Sequence, residues 1–332
     1  MEEMFIQVLL SVFSLVILAV PGYILGKFKV LPEKATKALT GVLLFVGQPM
    51  MTFMSFQKTT YSGDVVKNLL LVAGLAFLVH TVMLLLTFGV FFKKASKNTK
   101  LRIVNYASVF GNCGFMGLPF LQMLFGSTSP EAIMYGAVVV AVFNFLSWTV
   151  GIFFITHDVK FIKIKKAILN PPFLALLVSL PLFLILQKPI NLIGAEGTFV
   201  RGLFEKLSVS ANYLSDLVTP LSMIILGLRL SEMKFKTVFI NGYSYLSSTM
   251  KLIVMPAIAF LLCTALGVSD IIRFAIFFEF CMPTATQTLL FSEQYGGDTH
   301  TASSAVLLST ILSVVTIPLM YLAFSAMFSV YV

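Results

Sequence analysis

The chain has 332 residues, 58% of them hydrophobic and 11% charged, with a mean hydropathy of +0.97. A soluble domain is about half apolar and a quarter charged, so this composition excludes a soluble enzyme or binding module and leaves an all-α polytopic membrane protein. The net charge of +9 does not imply a nucleic-acid partner, because it is divided among short loops at the ends of apolar stretches.

A helix needs about 20 apolar residues to cross a hydrocarbon core about 30 Å thick. Ten transmembrane helices are predicted, at 4–26, 36–57, 67–92, 102–125, 131–156, 168–187, 212–230, 237–266, 271–292 and 300–328. The start, MEEMFIQVLL, is acidic where a signal peptide is basic, and its apolar run is too long for an h-region, so it reads as a retained span. The loops after spans 1, 3, 5 and 7 carry sixteen of the 23 basic residues. They include Lys27, Lys29, Lys93, Lys97, Lys163, Lys165, Lys166, Lys234 and Lys236. Positively charged loops stay in the cytoplasm, so both termini are expected outside a plasma-membrane protein. Cys113, Cys263 and Cys281 all fall inside spans without CxxC spacing, which points to neither a disulfide framework nor a metal site.

Sliding the sequence against itself by 171 residues brings Pro49 onto Pro220, Arg102 onto Arg273, Gly126 onto Gly297, and His80 onto Lys251. Two halves of five spans each enter the membrane from opposite sides, so such a repeat is inverted. The halves are 1–156 and 168–332, joined by a linker at 157–167. The same offset lays Asn112 over Pro283 and aligns FGNCGFMGLP in span 4 with FCMPTATQT in span 9. Gly111, Gly114, Gly117, Pro119 and Pro283 have no place in an unbroken lipid-facing helix, since unpaired backbone at that depth survives only inside protein or beside a watery cavity. Spans 4 and 9 are therefore expected to be broken, buried and crossed near the midplane, where half-helix ends bind ions.

NYASVFGNCGFMGLPFLQMLFG (105–126) and FEFCMPTATQTLLFSEQYGGD (278–298) resemble the fourth- and ninth-helix signatures of the auxin efflux carrier family, bacterial relatives of the plant PIN-FORMED auxin exporters. LLFVGQPMMTF (43–53), VFNFLSWTVG (142–151) and LVTPLSMIILGLRL (217–230) extend the resemblance across the chain. It implies two inverted five-helix repeats, as in bile-acid symporters and sodium/proton antiporters. It also implies elevator movement of a transport domain (helices 3–5 and 8–10) against a scaffold (1, 2, 6 and 7), and a homodimer through the scaffold. The long central loop of the plant proteins is replaced here by HDVKFIKIKK, so regulation through that loop does not carry over.

Asn112 leads the substrate-binding candidates, because its amide can donate to a carboxylate; the alternative is that it only caps broken backbone. Cys113 and Gly114 adjoin it. Asn144 in span 5, Gln48 beside Pro49, and Pro283, Thr284, Thr286 and Gln287 in span 9 complete the set, each with a packing or backbone-bonding alternative. Gly111, Gly117 and Pro119 make the break. Ionisable groups at membrane depth are functional by default, which marks His80, Lys251 and Glu279 for proton or ion coupling. A structural salt bridge between Glu279 and Lys251, and a packing role for His80, are the plainer readings.

No adjacent aspartate pair accompanies Glu279, which favours an organic anion over sodium/proton exchange. GxxxxGK[ST], HExxH and a Ser/His/Asp triad are absent. The expectation is a secondary transporter of a small organic carboxylate, with no catalytic residues and no cofactor. A cation-coupled symporter of an amphipathic anion and a ligand sensor that moves nothing are the alternatives; sodium-dependent uptake marks the first, ligand stabilisation without counterflow the second.

Overall fold

The computed structural model describes residues 2–32, 34–162, 164–233 and 238–327. Lys163, Lys234 and Lys236, and the predicted span limits at 237 and 328, lie outside the described residues. The principal helices are α1 (Glu2–Lys27), α2 (Ala35–Lys58), α3 (Gly63–Ala95), α4 (Thr99–Val109), α5 (Cys113–Phe125), α6 (Glu131–Thr156), α7 (Pro171–Leu186), α8 (Phe199–Glu232), α9 (Gly242–Ala265), α10 (Asp270–Cys281), α11 (Gln287–Tyr295) and α12 (Thr299–Ser325). Among the described residues, eight helices are long and apolar enough to cross a membrane, and the protein is a multi-pass helical membrane protein.

Polar residues start these helices where the chain turns back. Asn98, Asn170, Thr198, Asn241 and Asp298 each accept a backbone N–H from the first turn of α4, α7, α8, α9 and α12. Thr198 begins α8 well before the predicted start of span 7, giving a helix of 34 residues. At 1.5 Å per residue that is about 51 Å, more than the hydrocarbon requires. Its first part, carrying the Arg201–Glu205 ion pair at 2.7 Å, is accordingly polar on one side, and regular winding lapses at Leu217.

Three prolines inside the spans are accommodated by local widening of the helix, whereas Pro21, Pro181 and Pro318 lie within regular α-helix. Leu43–Gly47, Cys113–Gly117 and Met250–Val254 are π turns, and each is followed at once by a segment with proline in its first turn: Pro49, Pro119 and Pro256. Proline lacks an N–H and its ring collides with the carbonyl four residues back; a wider turn relieves both defects.

Helices α1 and α8 lie against each other with almost no side chain between them. A Cβ on Gly22 would stand 2.0 Å from the Ile224 carbonyl oxygen, and one on Gly227 2.0 Å from that of Ala19. Lipid supplies no hydrophobic drive between helices, so such contacts rest on close packing of small residues. The most buried long span is α6, with 72% of its apolar window inside the protein, against 17% for α7. From Ile272 to Cys281 every residue of α10 is buried, as is the length of α4 from Ile103 to Val109. The first halves of the two interrupted spans and the breaks themselves thus lie in the interior, as irregular backbone requires, while α11 has exposed positions at Leu290, Glu293 and Gln294.

Candidate functional site

Span 4 breaks where α4 ends: Phe110 is extended, with φ −93° and ψ 106°. Span 9 breaks at Met282, φ −64° and ψ 146°. The two loose segments pair with each other. Gly111 and Thr284 form an antiparallel bridge, the Asn112 N–H donates to the Pro283 carbonyl at 2.6 Å, and the Ala285 N–H donates to the Phe110 carbonyl at 2.9 Å. Backbone groups freed by glycine and proline in one helix are satisfied by those freed in the other.

Side chains complete the satisfaction. Thr284 Oγ1 donates to the Ala107 carbonyl at 3.0 Å, and the Thr284 N–H donates to Ser309 Oγ at 3.0 Å. Lys251 Nζ, fully buried, donates to the Phe280 carbonyl in the last turn of α10 at 2.8 Å, where a cation also answers the negative end of the helix dipole. Gln48 Nε2, from α2, donates to the Gly114 carbonyl at 2.7 Å.

The three glycines of the break share a second purpose. A Cβ on Gly111 would lie 2.5 Å from Lys251 Cε, one on Gly114 2.9 Å from Gln48 Nε2, and one on Gly117 2.2 Å from Glu279 Oε2. Each glycine vacates the space of one polar side chain from another helix. Lys251 and Glu279 do not form the expected salt bridge: no ion pair joins them among the described residues, the ammonium is held by Phe280, and both Glu279 oxygens are buried without a hydrogen-bond partner. His80 Nδ1 bonds the Ala76 carbonyl of its own helix at 2.7 Å, and its ring packs edge-on to Phe280.

Asn112 is 6% exposed, and its side chain does not cap α5; its carbonyl accepts from the N–H groups of Met116 and Gly117 instead. The first N–H groups of a helix have no acceptor within it; those of Cys113 and Gly114 turn toward the Cys113 sulfur, and beside them the break presents the Asn112 amide. Cys113 and Cys281 are buried on either side. Pro119 lies in the first turn after the π segment of α5, and Thr286, without a side-chain cap bond, precedes α11.

A second polar group adjoins the first. Tyr106 OH meets Ser147 Oγ at 2.6 Å, Ser147 Oγ donates to Gln287 Oε1 at 2.9 Å, and Gln287 Nε2 reaches Asn144 Oδ1 at 3.4 Å. Asn144 and Gln287 line a cavity of about 760 Å³ together with Phe45, Trp148, Lys165 and Lys166. The Lys166 ammonium stands 5.6 Å from the centre of the Trp148 ring. Tyr106, Ser147 and Trp148 fall inside the stretches 105–126 and 142–151 that carry the family resemblance, but nothing in the sequence singles them out there as site residues, and the two lysines read only as loop charges.

Long apolar helices packed around two interrupted, mutually bonded helices with a polar centre define a multi-pass membrane protein of the transporter class. The chain belongs to the membrane transport protein family, that of the auxin efflux carriers, which it matches over residues 7–164 and 155–321. It is 28% identical over 311 residues to an uncharacterized transporter of Methanocaldococcus jannaschii, covering 93% of this chain and 96% of the relative. An uncharacterized transporter of Methanothermobacter thermautotrophicus is 26% identical over 316 residues, with 93% and 96% covered.

Proposed function

We propose that this chain moves a small organic carboxylate across the cell membrane by elevator-type alternating access. The observation that carries the reading is the crossing itself. The N–H end of α5, the uncommitted Asn112 amide and the Lys251 ammonium converge there, and each of these attracts an anion. The cavity containing Asn144 and Gln287 is rimmed by Lys165 and Lys166, which gives an anion a cationic approach from the face assigned to the cytoplasm.

The ten-span inverted repeat belongs to this proposal, with spans 4 and 9 counted as the pairs α4–α5 and α10–α11. Its support is a shared contact. Arg102 donates to the Thr156 carbonyl at 3.3 Å and Arg273 to the Met327 carbonyl at 3.1 Å, each 54 residues further along the chain. Both donors and both acceptors are thus related by the 171-residue offset. Asn112 and Pro283, joined across the crossing, are each other's counterparts at that offset, as positions beside a pseudo-twofold axis should be. In this reading α1, α2, α7 and α8 are the scaffold, bound by the glycine contact of α1 with α8, and α3–α6 with α9–α12 are the moving part. A homodimer through the scaffold follows from the family alone.

The test screens malonate, malate, lactate and indole-acetate for thermal stabilisation of the purified protein, then measures counterflow of each hit in proteoliposomes. Asn112→Ala is expected to weaken the hit's affinity about tenfold, equivalent to about 1.4 kcal/mol, the scale of one net hydrogen bond to a charged group. Stabilisation without counterflow would indicate a sensor, and wild-type affinity in Asn112→Ala would remove that residue from the site.

A further inference from the structure

The carboxyl of Glu279 is 1% exposed, and neither oxygen has a hydrogen-bond partner. It is wedged between two backbones: a Cβ on Gly117 of α5 would stand 2.2 Å from Oε2, and one on Gly136 of α6 2.8 Å from Oε1, beside the apolar ends of Leu118 and Leu121. The charged and titratable groups about it are few. Helix α9 contributes Lys251, whose charge acts on Glu279 but whose ammonium is committed to the Phe280 carbonyl. Helix α5 contributes the Cys113 thiol, α10 itself Cys281, α3 the His80 ring bonded to Ala76, and α12 the Tyr321 phenol packed on Phe278. At Gly136 itself α6 offers only backbone.

An ionised carboxylate in this place suffers desolvation that no donor offsets. A metal cation would need several oxygen ligands, and no group of three or more His, Cys, Asp or Glu side chains that could hold one exists among the described residues. A proton needs neither space nor further ligands.

We propose that Glu279 is the proton site of the transport cycle, and that proton and anion move together. This rests on the transport reading above. In the closely packed conformation the carboxyl is the neutral acid; movement that opens the crossing to water lets the proton leave as a carboxylate forms. The coupling follows from charge. With Glu279 neutral, Lys251 leaves the crossing with one positive charge that welcomes an anion, whereas an ionised Glu279 cancels that charge and repels the anion. One O–H bond forms on the acidic side and breaks on the other, so one proton accompanies each anion.

The test uses the full chain in lipid vesicles, with the proton itself as probe. Infrared difference spectra in H₂O and D₂O are expected to contain the carbonyl stretch of a protonated carboxylic acid at neutral pH, lost in Glu279→Gln and kept in Glu279→Asp. An acid-outside gradient of one pH unit should raise accumulation of a counterflow-competent anion from the four above about tenfold, the limit for one proton per turnover. In Glu279→Gln the ratio of accumulation with and without the gradient should fall to about one, and Glu279→Asp should restore it. A wild type lacking the band, a wild type whose flux ignores the gradient, or a Glu279→Gln variant that still answers it each overturns the proposal while leaving transport intact. Wild-type vesicles that pass none of the four anions under any gradient would end the transport reading and this coupling with it.

Discussion

Lys251 is a fully buried ammonium with one protein acceptor, the Phe280 carbonyl. Its position depends on an absence of atoms at Gly111, where a Cβ would come within 2.5 Å of Lys251 Cε and 2.8 Å of Nζ. Gly111→Ala should therefore act through Lys251 rather than through the backbone, whose φ is not in the left-handed region. Overpacking of this kind costs roughly 1–3 kcal/mol. The cost should be large in the wild-type background and mostly vanish in Lys251→Ala, where the colliding atoms are gone. A double-mutant cycle on thermal unfolding measures it; equal losses in both backgrounds would mean that Gly111 is needed for backbone reasons alone. The same cycle separates the two uses of glycine at the break, because Gly114 and Gly117 also stand aside for side chains, those of Gln48 and Glu279.

At the scale of elements, α1 and α8 make the tightest helix pair, and GYILG in α1 is the pattern behind it. Gly22 faces the Ile224 carbonyl, and Gly26 stands where a Cβ would be 2.0 Å from Ser231 Oγ. Small residues four apart let two backbones approach in lipid. Gly22→Leu should separate the pair and lower stability by more than the roughly 1–3 kcal/mol of ordinary overpacking, since a backbone carbonyl cannot swing away. Gly74→Leu in α3, where no atom lies within 4 Å, is the control and should be close to neutral; similar melting temperatures for both variants would refute the argument. Such elements differ in how far residues alone reveal them. The breaks in spans 4 and 9 are legible because glycine with proline in the one, and proline among threonines in the other, have few other uses at hydrocarbon depth. Partners across helices are not legible: periodicity says which face a residue occupies, and it does not say which residue of another helix it meets. Charge alone pairs Lys251 with Glu279, yet the register of α9 against α10 sends the ammonium to Phe280 and leaves the carboxyl against glycine. The π turns are hidden for a related reason, since proline marks a defect without saying whether a helix kinks, stops or widens.

The whole molecule is polarised end to end, and that polarity predicts how it sits in the membrane. Arg102 ties the α3–α4 turn to the end of α6 through the carbonyls of Ala95, Ser96 and Thr156. Lys93, Lys97 and Lys100 stand at the same end as these contacts, because they belong to the same turn. At the other end, Gln57 accepts from the Ile190 N–H at 2.7 Å, joining the α2 terminus to the turn after α7. Lysine and arginine resist transfer across the membrane, so the basic end should remain in the cytoplasm. The three native cysteines are buried, which leaves a silent background for single thiols placed at exposed turns. Ser62→Cys, before α3, should react with a membrane-impermeant maleimide on intact cells. Ser96→Cys, after α3, should react only once the cells are permeabilised. The opposite pattern would invert the protein and put the Lys165–Lys166 cavity on the outer face, so that a gradient expected to load the crossing from one side would load it from the other. Orientation and coupling therefore meet in one measurement: in the proposed cycle the gradient fills Glu279 from its acidic side, and the end that carries the lysines determines which face of the crossing meets that side.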